Sequence, residues 1–299
     1  MKLTKPSVLI MVTAVLGAFV AANVHADDTI EIAKTSRFLG QTPPTPIAIV
    51  GFSGEVASAL KFDLTVMGFT DVPPESAQYV LSGGNSGNVQ GQLSVGKSPL
   101  FSKAYSGPSL RAQAHRLADD VVLKITGVAG IAETKIAFKA ESGGGGEIYV
   151  SDFDGHNAQA VTRDRAIVAA PCWVPGRLAL YYTSYILGPP DIFYQDLTTA
   201  QRRNFASYPG GDNSSAAVSP DGNRVAMICA MSGSPNVYVC NADGSGLKQL
   251  TRTTEDDSSP CWSPDGQWIC FASTVNGRRA LYKVSSEGGP MMRLPTSGV

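Results

Sequence analysis

The chain has 299 residues, of which 24 are Lys or Arg and 25 are Asp or Glu, and 43% are hydrophobic. A balanced charge leaves no basic field for nucleic acid and no acidic arm that would stay solvated and disordered. The 31 glycines and 19 prolines favour a fold built from many turns, because helix interiors tolerate neither in quantity.

The first predicted element is a leader. Met1-Lys2-Leu3-Thr4-Lys5 is a short basic region, and an apolar run from Val8 to Val20 is interrupted by Thr13 and Gly17. Val24-His25-Ala26 then presents small residues where a signal peptidase reads. This pattern predicts a secretory signal peptide over residues 1–26, cleaved after Ala26. The run is short of the ~20 residues that a membrane span needs, and no cysteine follows it to carry a lipid. The mature chain is therefore expected to be soluble and exported, with no span of its own.

Residues 27–45 read as an N-terminal segment and linker, in which Thr29-Ile30-Glu31-Ile32 can pair as a strand and Gln41 to Pro46 form stiff polyproline. Residues 46–131 read as a small α/β domain. Ile47 to Val50 is a short buried strand, and Val56, Leu60, Leu64 and Met67 recur at helical spacing across Glu55 to Met67. Tyr79-Val80-Leu81 predicts a strand, and Val89 to Val95 with Leu100 to Tyr105 predicts an antiparallel pair. Ser109 caps a second helix from Leu110 to about Ile125, with an apolar stripe of Ala114, Leu117, Ala118, Val121 and Ile125, stopped at Gly127.

Residues 132–299 repeat. Ser263-Pro264-Asp265-Gly266 is a tight turn between an aromatic strand end and the apolar run Trp268-Ile269-Cys270-Phe271. It recurs as Ser219-Pro220-Asp221-Gly222, 44 residues earlier, and in degenerate form as Val174-Pro175-Gly176, 45 earlier again. In the same phase, Glu147-Ile148-Tyr149-Val150-Ser151-Asp152 returns 89 residues on as Asn236-Val237-Tyr238-Val239-Cys240-Asn241. A period of about 40–45 residues with four short strands per unit is the signature of a propeller blade. The expected fold is thus two-domain: a small N-terminal α/β domain followed by an all-β propeller of WD40-like S-P-D-G blades. About four blades are expected, in an incomplete array whose last blade lacks its final strand.

The five cysteines all lie in the repeats. Cys172 and Cys261 hold one motif position two blades apart, too far to bridge. Cys229 and Cys240 flank a hairpin turning near Ser232 to Pro235, where they could face each other; otherwise strand cysteines pack as small hydrophobes. No metal is expected, since there is no C-x-x-C and the mature chain holds only His115 and His156.

Nor is a catalytic residue or cofactor expected. There is no G-x-S-x-G elbow, and a catalytic triad would need one of two histidines that read as structural or surface groups. His115 lies on a helix, where it can cap or brace the contact between domains. Asp152 to Asn157 faintly resembles a calcium loop, but the matching Asn241 to Ser245 and Ser285 to Gly288 lack a consistent ligand set, so the turn reading stands. Ser142 to Gly146 has no Gly-Lys-Ser/Thr and reads as a hairpin loop rather than a phosphate loop. Loops at the two ends of a propeller remain as binding surface.

One constellation is specific. Ala114-His115-Arg116-Leu117-Ala118-Asp119-Asp120, then Ile125-Thr126-Gly127-Val128-Ala129-Gly130-Ile131, then Thr134-Lys135-Ile136-Ala137-Phe138, with Ser151-Asp152-Phe153-Asp154-Gly155-His156-Asn157 beyond, resembles the TolB family of the Gram-negative Tol–Pal envelope system. The likeness covers nearly all of the mature chain and is strongest from Leu110 to Pro295. It departs where Ile131 and Ala132 stand near the family's phenylalanine, where Phe138 replaces a tyrosine, and between Phe69 and Ser82, which looks trimmed. The family's propeller also has six blades. The resemblance implies a periplasmic, non-enzymatic adaptor serving outer-membrane integrity and cell division. It implies that Asp27, Asp28, Thr29, Ile30, Glu31 and Ile32 meet a TolA-like inner-membrane protein through backbone pairing. The propeller mouth, with His156 and Asn157 as candidates, would meet a Pal-like peptidoglycan-associated lipoprotein. An exported enzyme, or a saccharide- or peptide-binding protein on a propeller scaffold, is the alternative.

Overall fold

The computed structural model describes residues 43–142, 145–206, 208 and 212–295. The expected leader and the segment Asp27 to Ile32 lie outside the described residues. Two compact units emerge. One contains the described residues up to Ile136 together with Ser151–Ala158, and the other contains Ala137–Val150 and the residues from Gln159 onward.

The first unit contains β1 (Thr45–Val50), α1 (Gly54–Val66), β2 (Phe69–Asp71), β3 (Tyr79–Gly84), β4 (Gln90–Val95), β5 (Ser98–Ala104) and α2 (Leu110–Thr126). Its sheet runs β2-β1-β3-β4-β5. β1 is parallel to β2 and β3, and the remaining pairs are antiparallel. The parallel β1–β2 pair follows from the crossover through α1, since two parallel neighbours cannot be joined by a tight turn. The predicted stripes become the core: Val56, Leu60 and Leu64 of α1 and Ala114, Leu117, Ala118 and Val121 of α2 are buried with Ile47, Leu81 and Leu93. Each large side chain buried this way contributes about 1.5–3 kcal/mol. Ser109 Oγ accepts the Ala112 N–H at 3.1 Å, and Gly127 ends α2 in the left-handed conformation, as its sequence position predicts. β2 is an addition to the predicted elements, and at three residues it is too short to show a period.

The second unit is built from propeller-like sheets. β6 (Lys135–Ser142), β7 (Gly145–Asp152) and β8 (Gln159–Ala160) form a three-stranded sheet. Three four-stranded meanders follow: β9 (Val168–Trp173) to β12 (Arg202–Ala206) through β10 (Ala179–Ser184) and β11 (Asp191–Asp196); β13 (Asn213–Val218), β14 (Arg224–Cys229), β15 (Asn236–Asn241) and β16 (Lys248–Gln249); and β17 (Asp257–Trp262), β18 (Trp268–Val275), β19 (Arg278–Ser285) and β20 (Met292–Arg293). The last sheet therefore has its fourth strand, contrary to expectation, because Met292 and Arg293 pair with Lys283 and Tyr282. The sheet with three strands among the described residues is the first. Gly145 and Gly146, expected in a loop, instead open β7.

The repeat is visible at the level of single bonds. In both S-P-D-G turns the Ser hydroxyl donates to the Asp carboxylate and accepts the N–H of the residue opening the next strand, Arg224 or Trp268, at 2.9 Å. Gly222 and Gly266 close these turns at φ 75° and 68°, a region that glycine enters without strain. The first strand of each four-stranded meander also carries a β-bulge at a residue of positive φ: Ala170, Ser215 and Ser259, again 45 and 44 residues apart. The residues facing the bulges, Tyr182, Met227 and Phe271, are among the largest fully buried side chains. Apolar layers join successive sheets, with Met227, Tyr181 and Phe205 in one and Ile228, Ile269 and Phe271 in the next.

Of the two readings open for Cys229 and Cys240, the structure bears out the small buried hydrophobe and not the bridge. β14 and β15 pair with Cys229 opposite Asn236 and Cys240 opposite Val225, so these two cysteines are out of register, and all five are free.

Candidate functional site

The most concentrated polar group lies in the first unit. Arg111 and His115 stand one helical turn apart on α2 and so share a face. Asp63 comes from α1, and Asp154 from the turn Ser151–Ala158, which belongs to this unit. His115 Nδ1 lies 2.6 Å from Asp63 Oδ2, and His115 Nε2 lies 3.4 Å from Asp154 Oδ2. Arg111 reaches the same Asp154 oxygen with two nitrogens, Nε at 2.5 Å and Nη2. The side chains of Asp63 and Asp154 are 0% and 1% exposed, so these charges meet almost no water. Burial of this kind is tolerable only when charges are paired.

Two carboxylates and one guanidinium leave one negative charge, which a single proton on the hydrogen-bonded His115–Asp63 pair cancels. Burial pushes the His115 pKa down, but the Asp63 hydrogen bond and charge, with the Asp154 charge, outweigh it and hold the pKa above its ordinary value near 6.5. Arg111 opposes this more weakly. Burial raises the Asp63 carboxyl, with His115 pulling against it. Burial also disfavours the charged Asp154, yet the Arg111 hydrogen bond, the His156 N–H and the nearby cations leave it below its ordinary value. A raised histidine pKa contributes stability that is complete below its unfolded value and lost as pH rises through the folded one. Denaturant unfolding is expected to show stability falling as the pH rises from 6 to 9, with His115→Gln lacking that component of the fall. Parallel profiles for the two proteins would contradict the assignment.

A second layer shapes the turn. Asp152 pairs with Lys135 and accepts Asn157 Nδ2 at 2.5 Å, while Asp154 Oδ1 accepts the His156 N–H at 3.1 Å. Phe153 packs on Phe62 of α1, with ring centroids 6.1 Å apart. Asn157 takes φ 54° and spends its amide within the turn. The His156 side chain, 57% exposed, presents its ring to solvent with Nδ1 3.4 Å from Asp154 Oδ1. Of the sequence candidates, His156 thus offers an exposed side chain and Asn157 a turn former. His115 is a brace inside this unit, between α1 and the turn. Asp63 and Arg111 were missed. The signal available for Asp63 was a carboxylate inside the apolar stripe of α1.

Ligand atoms of His115, Asp152 and Asp154 lie within 4.8 Å of one another, a spacing that a divalent cation could use. Arg111 and Lys135 already supply the positive charge there, and a metal would have to displace both. No serine, threonine or cysteine hydroxyl or thiol is bonded to His115 among the described residues, so the cluster lacks the nucleophile–base pair of acyl transfer. On the last sheet of the second unit, a depression of about 420 Å³ is lined by Val275, Asn276, Arg278, Ala280, Tyr282 and Arg293, with no carboxylate, imidazole or thiol.

A small α/β unit followed by propeller sheets, with the convergent charges of the first unit committed to one another, defines a propeller-bearing protein. Residues 122–299, more than half of the chain, match the TolB beta propeller domain, and the chain belongs to that family. The Tol-Pal system protein TolB of Bordetella avium is 32% identical over 265 residues, covering 77% of this chain and 59% of that protein. The protein of that name from Anaeromyxobacter dehalogenans is 30% identical over 251 residues, 70% of this chain and 57% of the relative. The chain thus spans less than two thirds of the length of these relatives. The crystal structure of TolB from Acinetobacter baumannii superposes with a TM-score of 0.75 at 23% identity, over 86% of this chain and 73% of that one, a likeness of fold.

Proposed function

We propose that this chain is a periplasmic, non-enzymatic adaptor of the Tol–Pal type, linking an inner-membrane Tol protein to a peptidoglycan-associated lipoprotein. The observation that carries the reading is family membership over residues 122–299 together with relatives named as Tol-Pal system proteins. In this reading residues 1–26 direct export. Asp27, Asp28, Thr29, Ile30, Glu31 and Ile32 add a strand to a TolA-like partner, a mode that needs backbone groups more than particular side chains. His156 contributes to the Pal-like contact, and Asn157 holds the turn that presents it.

The reading is tested with the chain lacking residues 1–26 and the soluble domains of the two partners. Both are expected to be retained in a pull-down. Removing residues 27–32 should abolish retention of the TolA-like domain, and His156→Ala should weaken the Pal-like contact about tenfold, or 1.4 kcal/mol. Failure to retain either domain would sink the adaptor assignment.

A further inference from the structure

Among the five cysteines, one pair stands in direct cross-strand register: Cys261 on β17 faces Cys270 on β18. Neither the repeat phase nor the hairpin count predicted this, because Cys261 was matched with its equivalent Cys172 two periods away. Cys172 faces Tyr181, Cys229 faces Asn236 and Cys240 faces Val225, so the other three lack a thiol opposite.

The ladder sets the separation. Ser263 N–H donates to Trp268 O at 2.9 Å at the neck of the turn. Counting two pairs along makes Cys261–Cys270 a hydrogen-bonded pair, whose Cα atoms stand about 5.5 Å apart. That falls within the roughly 4.4–6.8 Å that disulfides bridge. Partners in register also project to the same face of the sheet. From this register we infer that Cys261 and Cys270 form a redox-active dithiol that closes reversibly into a disulfide across the β17–β18 hairpin.

Three further observations shape its reactivity. Cys261 is exposed and Cys270 half-buried, so attack begins at Cys261. The hydrogen bond from Cys270 brings the Cys261 thiol down to about 7, while Cys270 is pushed up by the same bond and by burial. The β-bulge at Ser259, two residues before Cys261, leaves the strand irregular beside the pair. A disulfide that is exposed or strained is the labile, reducible kind.

The exchange balances with a small disulfide such as oxidised glutathione as oxidant. The Cys261 thiolate attacks one glutathione sulfur, breaks the S–S bond and releases one glutathione thiolate. Cys270 then loses its proton, and its thiolate attacks the Cys261 sulfur and expels the second glutathione. Two protein thiols are oxidised, one glutathione disulfide is reduced, and the two protons leave on the two glutathione thiols. The inference stands on one hairpin and does not depend on the adaptor reading.

The test is thiol counting on the intact chain, equilibrated in defined mixtures of reduced and oxidised glutathione, denatured, alkylated and mapped by mass spectrometry. Oxidation is expected to remove two alkylation sites, lower the unalkylated mass by about 2 Da, and yield one peptide pair linked through Cys261 and Cys270. Dithiothreitol should restore both sites. Cys270→Ser should instead trap glutathione on Cys261. Five alkylatable thiols at every ratio, or linkage through Cys172, Cys229 or Cys240, would overturn the inference. The wild-type map decides the question even if a variant fails to fold.

Discussion

Gly83→Ala is expected to cost about 3 kcal/mol or more, and Gly91→Ala, directly across the ladder, about 1 kcal/mol. The difference lies in what a new methyl would meet. At Gly83 the Cβ would stand 1.9 Å from Gln90 O and 2.7 Å from Phe52 Cζ. Gln90 O belongs to the neighbouring strand, so relief means moving β4 against β3. At Gly91 the Cβ would meet the two δ-methyls of Leu117 at 2.7 Å, the end of a buried side chain, which must repack but yields more readily than a backbone carbonyl. Urea unfolding of both variants checks this, and equal costs would show that the β3–β4 ladder is softer than its geometry. The contrast bears on function, because Leu117 belongs to the helix that carries Arg111 and His115.

Regular features were the legible ones. Period and turn chemistry placed the repeats, since S-P-D-G acts through a serine, an aspartate and a glycine whose roles are local and are repeated at Ser219 and Ser263. The stripes of α1 and α2 became the buried core because helical spacing leaves few alternatives. What stayed hidden depends on register and on long-range pairing. The bulges at Ser215 and Ser259 shift strand register by one residue, and register decides which cysteines meet. Hairpin flanking suggested Cys229 with Cys240, yet the ladder sets them apart, while Cys261 and Cys270 meet across a turn already in view. The buried cluster was hidden for another reason. Asp63 lies 52 positions from His115, and Arg111 lies 43 from Asp154, so no local pattern links them. Only His115 and the segment carrying Asp154 were singled out in the sequence, as a helix histidine and as a blade turn.

Asp154→Ala is expected to destabilise the protein by about 3–5 kcal/mol, the range for removing one member of a buried ion pair. The loss comes less from the missing attraction than from what remains. Arg111, whose side chain is only 12% exposed, would keep its charge without the carboxylate that both its nitrogens contact, and His115 would lose one of its two anionic neighbours. Removing Arg111 as well should therefore recover part of the loss, so Arg111→Met with Asp154→Ala is expected to cost less than the sum of the two single changes. Strict additivity in chemical denaturation would show that the four groups do not act as one network. The same substitution should loosen the turn that presents His156, because Asp154 accepts the His156 N–H, while the backbone bonds from Asp152 N–H to His156 O and from Gly155 N–H to Asp152 O, with the Asn157 amide on Asp152, would remain to close it. Faster hydrogen exchange at Asp152, Gly155 and His156, measured where the variant is still folded, would mark that release. A loss of lipoprotein retention in the same variant would then tie the buried charges to the surface they hold in place.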